Sequence, residues 1–186
     1  MPLPEAGLIR RAQKGDSEAV AELYDRCQAS IFTYIFYRVG DQECAEDLTA
    51  EVFVRMIEKL PSYIHQDRPV LAWLYTIARN LVIDHYRNKV EINPMPLEES
   101  LVANSQADGY PAQRTEEHLA QECLARVMQM LTEEQRQVIQ LKFIEDREVA
   151  EVAAILDRNE RAIRSLQHRA LAALQRAIEQ ERCYEP

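Results

Sequence analysis

Residues 156–169 read LDRNERAIRSLQHR, a basic segment with the periodicity of a helix. On a helix that begins after Asn159, with about 100 degrees per residue, the apolar side chains fall on one narrow stripe. The members of this stripe are Ile163, Leu166, Ala170 and Leu174. Four polar side chains gather on the opposite side, namely Arg161, Arg164, Ser165 and His168. One face of the helix is therefore predicted to be buried, and the other to meet an anionic partner.

The residues just before this helix predict a second, shorter one. Apolar spacing indicates a short helix from about Arg147 to Leu156, followed by a turn over Asp157 and Arg158. Asn159 is a suitable N-cap for the long helix. By its lengths and capping the pair is a helix-turn-helix, the unit that many proteins use to place a helix in the DNA major groove.

Helical periodicity also dominates the rest of the chain, which has 186 residues but only four glycines and no strongly alternating polar and apolar run. Caps and breakers predict the boundaries. We expect helices over residues 3–14, from the Asp16 cap to Val39 before Gly40, from the Asp41 cap to Pro61, from about Pro69 to Asn88, from about Arg114 to Met130, and after Thr132, whose capping box includes Gln135.

Between residues 91 and 112 the helical pattern dissolves into EINPMPLEESLVANSQADGYPA, with three prolines and a glycine. Such a segment is long for a loop inside a compact domain and is typical of a linker between domains. The predicted fold class is therefore all-α, with two small helical domains over residues 1–89 and 114–186, joined by a flexible acidic linker over residues 90–113.

The formal net charge of −9 argues against nucleic-acid binding by the chain as a whole, but the charge is unevenly distributed. Residues 68–90 and residues 158–169 each contain four basic side chains against one acidic one. Residues 91–122 between them contain seven acidic side chains and one arginine. Because phosphate binding depends on local Lys and Arg, two basic segments separated by an acidic one remain compatible with DNA.

Two helices of the N-terminal domain carry polar or apolar faces that predict partners. In the helix after Pro69, one stripe combines groups able to contact base edges with an aromatic ring able to stack: Trp73, Thr76, Asn80, Asp84 and Arg87. In the helix after Asp41, apolar residues nearly encircle the axis: Val52, Phe53, Val54, Met56 and Ile57. Spacing alone leaves an alternative open for each helix. The helix after Pro69 could be an ordinary amphipathic surface helix, and the helix after Asp41 could be a central core helix with a solvated rim.

No enzymatic site emerges from the sequence. The four histidines lie far apart, no Gly-rich phosphate loop is present, and no metal or cofactor site is predicted. The four cysteines lack a ligand spacing, so we expect reduced thiols rather than zinc ligands or a disulfide framework. The absence of a signal-peptide pattern and of a 20-residue apolar span predicts a cytoplasmic protein.

Four blocks of the chain, in order, resemble bacterial sigma factors of the extracytoplasmic-function group. They are DLTAEVFVRMIEKL, RPVLAWLYTIARNLVIDHYRNK, LTEEQRQVIQLKFIED and the terminal helix-turn-helix ending in QHRALAALQ. This resemblance implies a non-enzymatic transcription initiation factor that binds core RNA polymerase and promoter DNA. The first domain would correspond to region 2 of the family and the second to region 4, whose helices over residues 117–144 would contact the polymerase flap.

The resemblance also implies roles for individual residues. The third helix would dock on the clamp helices of the polymerase through Asp47, Glu51, Phe53, Arg55 and Met56. The minus-ten element would be contacted by Trp73, Asn80, Asp84 and Arg87, with a base flipped from the non-template strand captured near Ser62, Tyr63, His65 and Arg68. The minus-thirty-five element would be contacted by Arg161, Arg164, Ser165 and His168, with Arg158 and Arg169 on phosphates.

The acidic linker would thread through the polymerase cleft, and an anti-sigma protein would control the factor. The sequence departs from the family pattern at several positions: Leu166 and Gln167 replace an Arg-Leu pair, Asp157 a common Gly, Ala162 a hydroxyl residue and Thr76 a frequent Arg. Two other hypotheses stay open, the first because residues 159–169 alone would suit it and the second because of the departures at Leu166, Gln167 and Asp157. One is a helix-turn-helix repressor that binds duplex DNA alone, and the other is a protein-interaction module that has lost DNA reading.

Overall fold

The structure is a computed structural model, and it describes residues 5–65, 68–92 and 116–181. Regular structure in these ranges is entirely helical, which confirms the all-α class. The helices are α1 (Glu5–Gln13), α2 (Ser17–Val39), α3 (Gln42–Lys59), α4 (Val70–Ile92), α5 (Glu116–Gln129), α6 (Glu133–Ile139), α7 (Val149–Leu156) and α8 (Glu160–Glu181). Within the described residues, no helix has the length and apolar character that crossing a membrane requires.

The predicted caps position α2 and α3. The Asp16 carboxylate accepts hydrogen bonds from the backbone N–H of Glu18 and Ala19, at 3.1 and 3.2 Å. Gly40 ends α2 in the left-handed conformation at φ 72°, where a side chain would be strained. Asp41 then accepts from the N–H of Cys44 at 2.7 Å and begins α3. These boundaries confirm the sequence prediction.

The boundaries of α4 differ from the prediction at both ends. The helix begins at Val70 rather than Pro69, and the Val70 N–H donates to the Glu5 carboxylate at 2.6 Å, which satisfies one of the free donors of the first turn. It continues to Ile92, past the predicted end at Asn88, because no helix breaker intervenes before the prolines of the linker. Most of the predicted linker lies outside the described residues.

In the N-terminal unit, α1 to α4, the long helix α2 contacts each of the other three helices. Its apolar side chains are fully buried where they meet those neighbours, as in Leu23, Ile31, Tyr34 and Ile35. Burial of this kind stabilises the unit by about 1.5–3 kcal/mol for each large side chain.

The C-terminal unit, α5 to α8, is organised around α8, which contacts α5, α6 and α7. The predicted capping box at the start of α6 is confirmed by reciprocal hydrogen bonds between Thr132 and Gln135. A π-helical turn follows α6 at Gln140–Ile144, and the sequence did not predict it. The Asn159 side chain accepts from the N–H of Ala162 at 2.8 Å and caps α8 as predicted.

The two units pack against each other, so that their buried side chains form one continuous apolar cluster. From the C-terminal unit this cluster includes Val138, Leu141, Val152, Ala153, Ile155, Ile163 and Leu166. The sequence analysis predicted two domains and a linker, and it did not predict that the units dock.

The cysteine prediction is wrong in one respect. Cys27 and Cys44 are free thiols, as expected. Cys123 on α5 is disulfide-bonded, so not every cysteine is reduced. Cys183 lies outside the described residues. Burial raises the pKa of the Cys27 thiol to about 12, which makes that group a weak nucleophile at neutral pH.

Candidate nucleic-acid and polymerase interfaces

The polar stripe of α4 faces solvent. Thr76, Asn80 and Arg87 are exposed, and Asp84 is half-buried. Asp84 and Arg87 form an ion pair at 3.2 Å, one turn apart. The side-chain amide of Asn80 is exposed, and a bidentate amide is the group that suits an adenine edge. The stripe thus offers base-reading chemistry on a rigid helix.

An aromatic pair stands at the start of this stripe. The rings of Tyr63 and Trp73 stack with centroids 4.2 Å apart and planes inclined by 23°. Burial raises the pKa of the Tyr63 hydroxyl, so that group stays protonated at neutral pH. Ser62 is exposed, and its hydroxyl donates to the Lys59 carbonyl at 3.0 Å. His65 is half-buried, and its Nδ1 atom is buried without a hydrogen-bond partner among the residues that the structure describes.

Arg68 lies apart from the other predicted minus-ten residues. Its guanidinium donates to the backbone carbonyl of Ile155 at 3.1 Å and lies 3.6 Å from the Asp157 carboxylate. Both partners belong to the helix-turn-helix of the C-terminal unit. In this conformation Arg68 is therefore engaged between the units rather than available to DNA.

The predicted polymerase face of α3 needs a correction at two of its five residues. Phe53 is 5% exposed and Met56 is fully buried, because both pack into the core of the N-terminal unit. The apolar residues that α3 presents to solvent are instead Val54 and Ile57, exposed by 49% and 53%. Helical spacing places Val54 and Ile57 on the side of α3 opposite the buried residues. The sequence could not show which side of α3 faces the core, because apolar residues surround the helix axis.

The charged edge of α3 is accessible. Asp47 is exposed, and Glu51 and Arg55 are paired at 2.8 Å across one helical turn. Together with Val54 and Ile57 they form a mixed apolar and charged surface, which we call the α3 face. Such a composition is suited to a protein partner, since an apolar centre contributes affinity and the charged rim sets register.

The helix α8 has the two faces that its sequence predicts. Ile163 and Ala170 are fully buried and Leu166 is 4% exposed, whereas Leu174 is only partly buried. The residues on the opposite side are all exposed: Arg161, Arg164, Ser165, His168 and Arg169.

Two of the basic groups in this region are paired within the unit. Arg164 pairs with Glu160 at 2.8 Å, and Arg158 pairs with Glu134 on α6. Asp157, at the turn, adopts the left-handed conformation with φ 56°, which accounts for the preference for Gly at this position in the pattern it resembles. Asp is among the few other residues that tolerate this conformation, so the departure leaves the turn intact.

Sequence reasoning missed a set of polar residues where the two units meet. Arg38 is 4% exposed, and its guanidinium pairs with Glu133 at the start of α6. Gln140 is fully buried in the π-helical turn. An arginine inside the apolar run YIFYRVG was the available signal, because a buried charge requires a partner from elsewhere in the fold.

A helix-turn-helix with an exposed basic face and a second helix with an exposed polar face are typical of DNA-binding proteins. Comparison with known proteins narrows this class. Residues 23–91 match the family model "Sigma-70 region 2", and residues 121–174 match "Sigma-70, region 4".

Among curated proteins, the chain is 30% identical over 175 residues to the ECF RNA polymerase sigma factor SigD of Mycobacterium tuberculosis, covering 92% of this chain and 82% of that protein. It is 36% identical over 171 residues to the ECF RNA polymerase sigma factor BldN of Streptomyces coelicolor, covering 92% of this chain and 64% of that protein. The chain belongs to the extracytoplasmic-function sigma factors.

A solved structure has a similar fold. The sigma factor RpoE from Bartonella quintana, in complex with the anti-sigma factor NepR, superposes with a TM-score of 0.58 at 21% identity. The similarity covers 86% of this chain and 96% of that one. Family membership makes the chain a transcription initiation factor that works with core RNA polymerase on promoter DNA.

Proposed function

We propose that this sigma factor reads its promoter with two exposed helical faces, one in each unit. The observation that carries the proposal is the solvent exposure of Asn80 on α4 and of Arg161 and Arg164 on α8. Each helix is fixed by a buried opposite face, so the polar groups are held on rigid supports. Rigid presentation favours sequence reading because little side-chain order has to be gained on binding.

The α4 face is assigned to the minus-ten element. Asn80 would contact a base edge, while Asp84 and Arg87 would exchange their mutual ion pair for a base and a phosphate. The stacked rings of Tyr63 and Trp73, with Ser62 and His65 beside them, would receive a base extruded from the duplex. Extrusion costs a few kcal/mol, and stacking on an aromatic ring returns about 1–3 kcal/mol for each base.

The α8 face is assigned to the minus-thirty-five element. Its exposed arginines suit guanine edges and phosphates, and Ser165 and His168 lie beside them on the same surface. Arg158 and Arg169 flank this surface and would contact phosphates. The buried Leu166 supports the helix from below.

The α3 face is assigned to core polymerase, with Asp47, Glu51 and Arg55 at its rim and Val54 and Ile57 at its centre. Phe53 and Met56 act as core residues that shape this face. We assign residues 1–89 to the region 2-like domain, residues 114–186 to the region 4-like domain and residues 90–113 to the linker between them. We place the site of action in the cytoplasm, with the polymerase and the promoter.

Control by an anti-sigma factor is the regulatory part of the proposal. The solved Bartonella sigma factor of similar fold is in complex with such a protein. An anti-sigma factor that acts on this chain would cover the α3 face or the surfaces of the two units. Capture of a stoichiometric partner that competes with core polymerase for this chain would support the assignment.

Run-off transcription tests the promoter-reading proposal. Purified core polymerase is combined with the chain on a pool of genomic promoters, and start sites are sequenced. The double variant Asn80→Ala/Asp84→Ala is expected to lose at least about 10-fold in promoter-specific transcripts, since each base contact contributes about 1–3 kcal/mol of discrimination. Its affinity for core polymerase should stay within about 2-fold of the unchanged chain, because the α3 face is separate.

The matched control is Gln28→Ala/Asp25→Ala, which removes one amide and one carboxylate from the surface of α2. The control should transcribe as the unchanged chain does. Equal transcript levels from the Asn80→Ala/Asp84→Ala variant and the control would contradict the assignment of the α4 face to the minus-ten element.

A further inference from the structure

A cysteine and a histidine meet where the start of α3 packs on the second half of α4. Cys44 carries a thiol rather than a disulfide, and its Sγ atom lies 3.7 Å from both Nδ1 and Nε2 of His85. The two residues are 41 positions apart in the chain, so only the packing of α3 on α4 brings them together. The surfaces assigned above to promoter and polymerase do not use this pair.

The thiol of Cys44 is accessible, whereas the other thiol of the N-terminal unit is shielded. Cys44 and His85 are both half-buried, but Cys27 is 4% exposed. A reactive thiol needs partial exposure beside a group that favours its ionised form, and a thiol enclosed in apolar surroundings is inert. Burial raises the pKa of Cys27 to about 12, so Cys27 provides an unreactive reference within the same chain.

His85 has the chemistry and the position of a base for this thiol. A neutral imidazole has one acceptor nitrogen, and the two nitrogens of His85 are equally distant from Sγ, so either tautomer presents an acceptor to Cys44. Because an imidazole titrates near neutral pH, it can take a proton from a thiol and release it again. A nucleophile with an adjacent base is the arrangement by which proteins activate cysteine.

The other titratable groups around the thiol leave this task to His85. The Asp41 carboxylate accepts a hydrogen bond from the Cys44 backbone N–H at 2.7 Å, and its negative charge opposes a thiolate. On α4, burial raises the pKa of Tyr86, so that hydroxyl stays protonated at neutral pH. At the end of α2, Arg38 meets Tyr86 through its backbone carbonyl, which accepts from the Tyr86 hydroxyl.

We propose that Cys44 is a modification site, a thiol that His85 activates towards peroxides and other small electrophiles. In the reaction with hydrogen peroxide, the thiol proton moves to His85 and the sulfur attacks one peroxide oxygen. The S–O bond forms while the O–O bond breaks, and the departing hydroxide takes the proton from His85 and leaves as water. The sulfur loses two electrons and becomes a sulfenic acid, and the peroxide is reduced.

The position of the pair gives this modification a structural consequence. Cys44 and Tyr86 pack against the main apolar cluster, at the junction of α2, α3 and α4. An oxygen added to Sγ therefore enters a packed junction, where an added atom strains its neighbours. The reaction takes place on the chain alone, so it does not depend on the surfaces assigned to DNA and polymerase.

The test measures the reactivity of each cysteine in the full chain. Trypsin places Cys27 and Cys44 in separate peptides, residues 27–38 and 39–55, so mass spectrometry detects them independently. After treatment with hydrogen peroxide and dimedone, which traps sulfenic acid, we expect the adduct on the peptide of Cys44 and not on that of Cys27.

The variant His85→Ala tests the role of the base, with iodoacetamide as the electrophile. About 3% of an ordinary thiol is ionised at pH 7, so removal of the base should slow the alkylation of Cys44 by at least about 5-fold. At pH 9.5 about 90% of an ordinary thiol is ionised without help, so both chains should then react within about 2-fold of each other. This convergence distinguishes a base from a neighbour that only shapes access to the thiol.

The matched control is His118→Ala, the same change on α5, and it should leave the rate of Cys44 alkylation at pH 7 unchanged. If circular dichroism shows that His85→Ala has lost helix, His85→Gln replaces it, because glutamine keeps a polar side chain but does not take up a proton. The same rates at pH 7 and pH 9.5 are expected for either variant.

Three results each overturn the proposal: equal alkylation rates of Cys44 at pH 7 with and without His85, a difference that persists at pH 9.5, or no dimedone adduct on the peptide of Cys44. Failure of the promoter assignment would be distinct. Transcription would then survive the loss of Asn80 and Asp84, while the reactivity of Cys44 would be unaffected.

Discussion

Replacing Leu166 by Ala tests whether the buried stripe of α8 runs through this position, where the resemblance to the family leads one to expect an arginine. Leu166 is 4% exposed and belongs to the apolar cluster that both units share. The substitution removes three carbon atoms from a packed environment and leaves a cavity that the surrounding helices fill only partly. We expect a loss of about 2–4 kcal/mol in the free energy of unfolding.

The same helix provides the control. Leu171 undergoes an identical chemical change in Leu171→Ala, but it is 41% exposed, so the expected loss is within about 1 kcal/mol. Urea denaturation followed by circular dichroism at 222 nm measures both variants, with the slope of the transition checked for two-state behaviour. Equal losses from the two substitutions, or a larger loss from Leu171→Ala, would refute the orientation of α8 described above.

Three further predictions address the fold, the contact between the two units and the polymerase face. Gly40→Ala should lower the unfolding free energy by about 1–2 kcal/mol in urea, because the left-handed φ of 72° is strained for alanine and its Cβ would approach the Gln129 amide at 2.7 Å; an unchanged midpoint would count against this turn. The pKa of Glu133 is lowered, so its pairing with Arg38 helps to hold the two units together above the ordinary value of 4.5, and this contribution is lost as pH falls through the lower value; small-angle X-ray scattering from pH 7 to pH 3 should show expansion only in the acidic range, before helix is lost. Ile57→Asp should leave helicity unchanged and weaken binding to core polymerase by at least about 10-fold. Binding as tight as that of the unchanged chain would contradict the assignment of Ile57 to the centre of the polymerase-binding surface.

The helices could be predicted because their signals are local. Asp16, Asp41, Thr132 and Asn159 each accept hydrogen bonds from free backbone donors of the first turn, and Gly40 accepts a left-handed conformation. Each of these signals involves residues that lie within three or four positions of one another in the chain, so it can be identified from the sequence alone. The stripe of α8 was equally visible, because its apolar residues occupy one side only.

The orientation of α3 and the docking of the units could not be predicted, for a physical reason in each case. Apolar residues surround α3, so periodicity does not say whether Phe53 or Val54 faces the core. The contact between Arg38 and Glu133 joins residues 95 positions apart, and no local pattern encodes such a pair. Only the buried arginine hinted that a partner was needed.

From its electrostatics, a chain with a net charge of −9 is expected to act on DNA only together with polymerase. Several of the cations assigned to DNA or to its neighbourhood are paired with carboxylates of the same chain: Arg68 with Asp157, Arg87 with Asp84, Arg158 with Glu134 and Arg164 with Glu160. Exposed pairs of this kind contribute about 0–1 kcal/mol each, so exchanging a carboxylate for a phosphate is energetically easy once DNA is close. They also cancel the local positive field that would otherwise attract DNA from a distance. The free factor is therefore expected to bind duplex DNA weakly, and we expect these neutralised surfaces to become specific when polymerase holds them beside the promoter.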